Sequence, residues 1–369
     1  MGRTLAVRLD SDGDVLLTGP AVRALARTGN PVDLLASPSG AAAARLLPDV
    51  AEVLEYSAPW SGFRPPPLDR DATLGLVGDL AARGYDLAVV FTSFHQSPLP
   101  MALLARLAGI GRVVATSEDY PGSLLDVRHR RADPPGGGHE VEAAMELAVA
   151  AGAPAPGEAD LRLAVRRPLP PLPQELPAAL RDGGYVVLHP GASVPSRGLT
   201  PEHAGSLAAG LADAGHTVVL TGGPGERALT AATLAAARDR VPGAAVLDLA
   251  GRTDLPGLAS VLDAAACVVV GNTGPAHLAA AVGTPVVSLF SPVVPPERWA
   301  PYGVPVVLLG DRTADCRGSR ARDCPVPGHP CLSSVPPSDV VAAVEDLAHR
   351  APGAPATVPQ PEGGPRCAS

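Results

Sequence analysis

The sequence predicts an α/β protein built from two doubly wound domains that face a cleft. Three observations predict it. Short apolar runs alternate with stretches of helical periodicity along most of the chain. One proline-crowded stretch interrupts the alternation near the middle. The length of 369 residues suffices for two cores, and a hydrophobic content of 46% supplies them.

The elements follow in order. Thr4–Leu9 is a buried-strand run, and Asp10–Asp14 is the loop after it. Val15–Arg27 places Leu16, Val22, Leu25 and Ala26 at helical spacing. Val32–Ala36 is a second strand. Leu87–Phe91 is unbroken and apolar, as a strand covered on both faces must be. Leu99–Ala108 predicts a helix, Arg112–Ala115 a short strand, and His139–Ala151 a helix after a break at Gly136–Gly138. Between Gly152 and Gly184 seven prolines crowd the chain, which reads as a semi-rigid linker. The N-terminal domain is placed at residues 1–160, the linker at 161–183 and the C-terminal domain at 184–350. The second half offers strands at Tyr185–His189, His216–Thr221, Ala245–Leu249, Cys267–Gly271 and Pro285–Phe290. Thr200 with Pro201, and Asp254 with Pro256, are cap-and-proline helix starts. Gly215 ends the first of these helices. Pro337–Arg350 predicts the last helix, and residues 351–369 a disordered tail.

Composition excludes several classes. The net charge is −8, a poor balance for binding nucleic acid or an anionic membrane. No apolar run reaches the ~20 residues that span a bilayer. The first residues lack the apolar core of a signal peptide, so a cytoplasmic location is expected. The five Cys are an odd number at irregular spacing, which favours free thiols. Cys316, Cys324 and Cys331 with His329 offer four metal-ligating side chains, but not at the spacing of a standard zinc site. All 29 basic residues are Arg, so any cation offered to an anionic ligand is Arg or His.

Four strand-to-helix turns carry candidate chemistry. The first is Asp10-Ser11-Asp12-Gly13-Asp14, at the strand end where open α/β sheets bind ligands. A carboxylate there suits a general base, while a helix-start cluster is the competing reading. A calcium loop fails, because Val15 and Ala21 stand where Gly and Glu are required. The second is His189-Pro190-Gly191-Ala192-Ser193 with Ser196-Arg197, where Ser193 and Arg197 can meet phosphate oxygens. An ordinary turn with a solvated Arg competes. The third, Gly223-x-Gly225-x-x-Ala228 with Asp248, matches a dinucleotide fingerprint, although Pro224 removes a backbone donor. The fourth is Gly271-Asn272-Thr273-Gly274-Pro275-Ala276-His277, a helix start whose free N–H groups favour an anion. Trp299, in a polar loop, either lines a sugar or base site or anchors that loop.

Together these segments resemble glycosyltransferase family 9, the heptosyltransferase family, from Leu5 to about Leu347. The carriers are Gly13-Asp14-Val15-Leu16-Leu17-Thr18-Gly19-Pro20, His189-Pro190-Gly191-Ala192-Ser193, Asn272-Thr273-Gly274-Pro275-Ala276-His277, Gly283-Thr284-Pro285 and Trp299-Ala300-Pro301. The resemblance implies two Rossmann-like domains of the GT-B type. It also implies an inverting, metal-independent transfer with no cofactor beyond a nucleotide-sugar donor such as ADP-heptose. The donor is expected mainly on the C-terminal domain and a hydroxyl acceptor (glycan, glycolipid or small molecule) mainly on the N-terminal one. Asp14 is then the general base. Ser193, Arg197, Thr273, Gly274 and His277 surround the diphosphate, Glu226 lies near the ribose and Asn272 near the donor sugar. Asp10, Gln96 and Ser97 lie on the acceptor side. The chain departs from lipopolysaccharide-modifying members at Asn272, where Asp is usual, and at Gln96, where Lys is frequent. Asp12 replaces a residue that is usually apolar, and Leu199 a common Trp. Two other functions fit parts of the pattern: a nicotinamide-dependent oxidoreductase using Gly223–Ala228, and a sugar-nucleotide-binding protein without catalysis.

Overall fold

Every residue of β1 (Thr4–Arg8) and of β2 (Val32–Ala36) is buried, the signature of parallel strands covered on both faces. A computed structural model describes residues 2–62, 64–93, 95–131, 138–181 and 184–349. After β1 come α1 (Asp12–Ala26), β2, α2 (Ala41–Leu46), β3 (Val50–Glu55) and α3 (Arg70–Arg83). Then follow β4 (Leu87–Phe91), α4 (Leu99–Leu107), β5 (Arg112–Thr116), β6 (Val127–His129) and α5 (Glu140–Ala150). The six strands form one parallel sheet in the order β3-β2-β1-β4-β5-β6.

The second half repeats the plan. Its elements are β7 (Tyr185–His189), α6 (Pro201–Asp213), β8 (Thr217–Leu220), α7 (Arg227–Arg240), β9 (Val246–Asp248) and α8 (Leu255–Asp263). They continue with β10 (Cys267–Gly271), α9 (Gly274–Val282), β11 (Val286–Leu289), α10 (Pro296–Trp299), β12 (Val306–Leu309), α11 (Pro330–Ser333) and α12 (Pro337–His349). The strand order is β12-β11-β10-β7-β8-β9, again parallel throughout. The order reverses between β1 and β4 in one sheet and between β7 and β10 in the other. Ligands of such sheets bind at the carboxyl ends of those strands. Two doubly wound α/β domains are therefore present, as the alternation of runs predicts.

Local signals explain most boundaries. Thr200 and Asp254 accept hydrogen bonds from the N–H groups of His203 and Gly257, and each is followed by a helix-starting proline. Gly283 ends α9 with φ of 96°, a conformation that excludes a side chain without strain. One expectation is corrected. Asp10–Asp14 is not all loop, because α1 starts at Asp12 and holds Asp14 in its first turn. β3, α2, α3, β6, α10, β12 and α11 have no counterpart among the predicted elements. β3 exposes two of its first three residues, and α3 buries only Leu76 and Leu80, so neither shows a strong periodicity.

The proline-rich stretch lies against both domains. Leu163, Val165 and Leu176 are buried in a core cluster shared by residues of the two halves. Arg166 N–H donates to Leu46 O at 2.7 Å, and Ser260 Oγ to Pro170 O at 2.7 Å. Most of the expected Gly136–Gly138 break and all of the 351–369 tail lie outside the described residues.

Candidate active site

The carboxyl ends of the switch-point strands of both domains meet at one cleft. On the N-terminal side the last residue of β1, Arg8, is 3% exposed. Its Nη2 donates to Asp14 Oδ1 at 3.1 Å and to Ser93 Oγ at 2.9 Å. Its Nε lies 2.9 Å from Asp10 Oδ2, within ion-pair range but out of line for a hydrogen bond. Asp10 Oδ1 accepts from Gln96 Nε2 at 2.6 Å, and Gln96 Oε1 accepts from Ser93 N–H at 3.0 Å. Ser11 Oγ donates to Asp14 Oδ2 at 2.9 Å. Burial raises the Asp10 pKa, with Arg8 opposing. Burial also works against the charge of Arg8, but Asp10 and Asp14 outweigh it and raise the pKa. Gln96 and Ser97 line a small pocket with Asp10, Trp60, Ser61 and Met101.

On the C-terminal side the turn after β7 is pinned from behind. Ser196 is fully buried; its N–H donates to Arg322 O at 2.9 Å and its Oγ to Ala321 O at 2.6 Å. His329 Nε2 meets Ser196 O at 3.0 Å. The next residue, Arg197, projects into the cleft with its Nε buried and without a partner. Burial lowers its pKa, and the Asp14 carboxylate of the other domain opposes that. Ser193 is exposed on the same turn. Glu226 Oε2 accepts from Gly223 N–H at 2.7 Å and lies 3.8 Å from His189 Nε2. Its carboxylate occupies the space beside Gly191, where a Cβ would stand 1.9 Å from Oε1. The third-turn fingerprint follows β8, one strand away from the switch point, so it lacks the placement a pyrophosphate turn requires.

The fourth turn joins the two sides. Thr273 precedes α9 as its cap residue, and Gly274 is the first helical residue. The Asn272 carboxamide is buried and engaged by Ser291, donating to its carbonyl at 3.2 Å and accepting from its N–H at 3.0 Å. His277 is 6% exposed, and its buried Nδ1 has no partner. Burial, then the charge of His139, pushes the His277 pKa down to about 4, so the ring is neutral at pH 7. The start of α1 abuts this helix start. A Cβ on Gly13 would stand 3.1 Å from His277 Cδ2 and 3.3 Å from Gly274 Cα. Asp14, Arg197, Gly274 and His277 are thus brought together from three separate stretches of chain.

Side chains that the motif reading missed complete the cleft floor. Glu140, at the start of α5, is 3% exposed. It takes a two-pronged contact from Arg131, at 2.7 and 3.1 Å, and a third from Arg298 of the other domain at 3.2 Å. His139 Nε2 meets Ala300 O at 2.8 Å, and Tyr302 O–H donates to Glu142 at 3.1 Å. Trp299 packs against both core clusters with the Arg298 guanidinium 6.0 Å from its ring, so it anchors its loop. One signal for the floor was legible: Arg8 is a cation inside an otherwise apolar strand run. Cys331 faces Cys316 and Ser291, whereas His329 turns to Ser196. No group of three or more metal-ligating side chains converges among the described residues.

A family model for glycosyltransferase family 9 (heptosyltransferase) matches residues 74–328, more than half of the chain. The chain belongs to glycosyltransferase family 9. Lipopolysaccharide heptosyltransferase 3 of Escherichia coli is 34% identical over 133 residues, covering 36% of this family 9 chain and 38% of the relative. That match therefore spans well under half the length of the curated relative. Among solved structures, the E. coli ADP-heptose lipopolysaccharide heptosyltransferase II aligns with a TM-score of 0.70 at 20% identity. It covers 94% of this chain and 98% of that one. E. coli heptosyltransferase WaaC with ADP-2-deoxy-2-fluoro heptose aligns at 0.64 and 24% identity, covering 93% and 99%. These likenesses show the fold: two facing doubly wound domains, the GT-B-like arrangement of family 9.

Proposed function

We propose that this chain is an inverting, metal-independent glycosyltransferase acting in the cytoplasm. It moves a sugar, with heptose the first candidate, from a nucleoside diphosphate donor such as ADP-heptose to a hydroxyl acceptor. The observation that carries the proposal is the approach of Asp14 and Arg197 from opposite domains, beside a helix start and two buried nitrogens without partners, Arg197 Nε and His277 Nδ1. Unpaired buried polar atoms in a cleft call for a ligand.

In this reading the acceptor oxygen attacks the anomeric carbon as the bond to the diphosphate oxygen breaks. Asp14 takes the hydroxyl proton, and inversion follows from the single displacement. The leaving diphosphate gains negative charge. Arg197 and the N–H groups at the α9 start offset it, the service a divalent cation performs elsewhere. The α1–α9 contact and the Glu140 floor hold the domains together and keep water, the competing nucleophile, from the reacting atoms.

The test is a thermal-shift panel of ADP, ADP-heptose, other nucleotide sugars and NAD(P), run with a chelator. A ligand at 100 times its dissociation constant adds about 2.7 kcal/mol of stability. Stabilisation by a nucleoside diphosphate or its sugar is expected, and stabilisation by NAD(P) alone defeats the proposal. Asp14→Asn is expected to keep donor binding and lose ADP release, which separates an enzyme from a sugar-nucleotide binder.

A further inference from the structure

The mechanism leaves Arg8 and Asp10 without a role, yet they form the most densely connected ionic cluster beside the base. One guanidinium serves two carboxylates. Arg8 Nη2 reaches Asp14 at 3.1 Å, and Arg8 Nε lies 2.9 Å from Asp10. The other oxygen of Asp10 is held by Gln96 at 2.6 Å, and that of Asp14 by Ser11 at 2.9 Å. The Asp10 side chain is 11% exposed and that of Asp14 is 22%, so Asp14 is the more open to the cleft. Arg8 is further tied to Ser93 of the turn after β4 at 2.9 Å. The cluster thus bridges the switch point and carries two negative charges for one positive.

We propose that Arg8 and Asp10 are positioning residues that act through Asp14: Arg8 aims its carboxylate into the cleft, and Asp10 draws away part of the Arg8 charge so that Asp14 remains a proton acceptor. This rests on the reading of Asp14 as the general base. An Arg paired with one carboxylate alone holds that carboxylate ionised and makes it a feeble base. A carboxylate without any cation loses its orientation. Sharing one guanidinium between two carboxylates resolves the conflict. Asp14 rather than Asp10 is placed to serve as the base, because the Asp10 side chain is only half as exposed.

The other charged and titratable groups near the cluster are Arg197 on the β7 turn, His277 on α9, His95 on the β4 turn and Glu140 on α5. The first three interact electrostatically with Asp14, and Glu140 with Arg8 and Asp10. None of them makes a hydrogen bond to Asp14, so the expected effects follow the sign of the Arg8 and Asp10 charges.

The experiment is a pH titration of the full chain carrying carboxyl-13C aspartate, read by NMR without ligand, with Asp14→Asn assigning the signal. In Asp10→Asn, which is nearly isosteric, the Asp14 signal should titrate at lower pH than in the unaltered chain. In Arg8→Gln it should titrate at higher pH, each shift being about one unit or more. The acid limb of ADP release from ADP-heptose should move in the same two directions. A salt bridge that only stabilises the fold would move the signals but leave the acid limb of ADP release in place, and that outcome also overturns the proposal. Signals that stay in place, or that move the same way in both variants, overturn the proposal. If Arg8→Gln does not fold, Asp10→Asn decides alone. The base reading fails separately, when Asp14→Asn still releases ADP at the unaltered rate.

Discussion

Arg197 sits where its guanidinium has one unpaired buried nitrogen and one carboxylate across the cleft. Replacing it by Ala should weaken nucleoside diphosphate binding about 10- to 100-fold, the loss of a charge-assisted contact. Isothermal titration calorimetry with ADP measures it, and an unchanged affinity removes Arg197 from the diphosphate site. His277 makes a different prediction, on stability. Its folded pKa of about 4 lies below the ordinary imidazole value of 6.5 because burial disfavours the charged ring. The unfolded chain therefore binds a proton first as the pH falls. The stabilisation is fully present above about pH 6.5 and is lost on the way down to about pH 4, amounting to about 3 kcal/mol. The gap in Tm between the unaltered chain and His277→Gln should narrow across that window, and a constant gap contradicts the assignment. The role of Arg8 was legible in principle, since a cation in a buried strand needs partners. The identity of those partners was not, because Ser93 lies 85 residues away.

At the scale of elements, the turns after β7 and β10 support each other. A Cβ on Gly271 would stand 2.2 Å from Arg197 O, so the last residue of β10 has room for no side chain. Gly271→Ala should displace the Arg197 turn and cost about 1–3 kcal/mol, as overpacking does. Urea unfolding and ADP titration should both register the change. A stable variant with full ADP affinity would show that the two turns are uncoupled. The sequence made the inner strands plain, because β1, β2, β4, β7 and β10 are short buried runs bounded by turn residues. It hid α3 because Gly75 and Gly78 weaken its helical signal and most of its surface faces water. The apolar pattern of α1 begins three residues after its start, because Asp12 and Gly13 carry no apolar periodicity.

At the scale of the molecule, the Glu140 clasp is an ionic tie between the domains. It joins one buried carboxylate to Arg131 and to Arg298. Glu140→Ala removes the carboxylate that Arg131 and Arg298 share and should cost about 3–5 kcal/mol. A urea midpoint that does not move would show the clasp to be incidental. The two-domain plan was legible from the repeated alternation and the proline stretch. The clasp was not, since its members are 9 and 158 residues apart and each is an ordinary charge in the sequence.

The meeting of the α1 and α9 starts has a thermodynamic consequence. The start of α9 already meets an anion of the N-terminal domain, since Gly13 abuts Gly274 and Asp14 acts electrostatically on His277. On the proposed reading, a diphosphate seated there sets its own charge beside the two aspartates, and the cluster then holds a proton more readily. Donor uptake and proton uptake are thereby linked, and linkage is reciprocal. Each proton gained by the cluster tightens the hold on the donor, but a proton on Asp14 removes the base, so donor binding and catalysis pull the cluster in opposite directions. That opposition is set by the contact between Gly13 and Gly274, which brings the start of α9 up to the aspartates of the other domain.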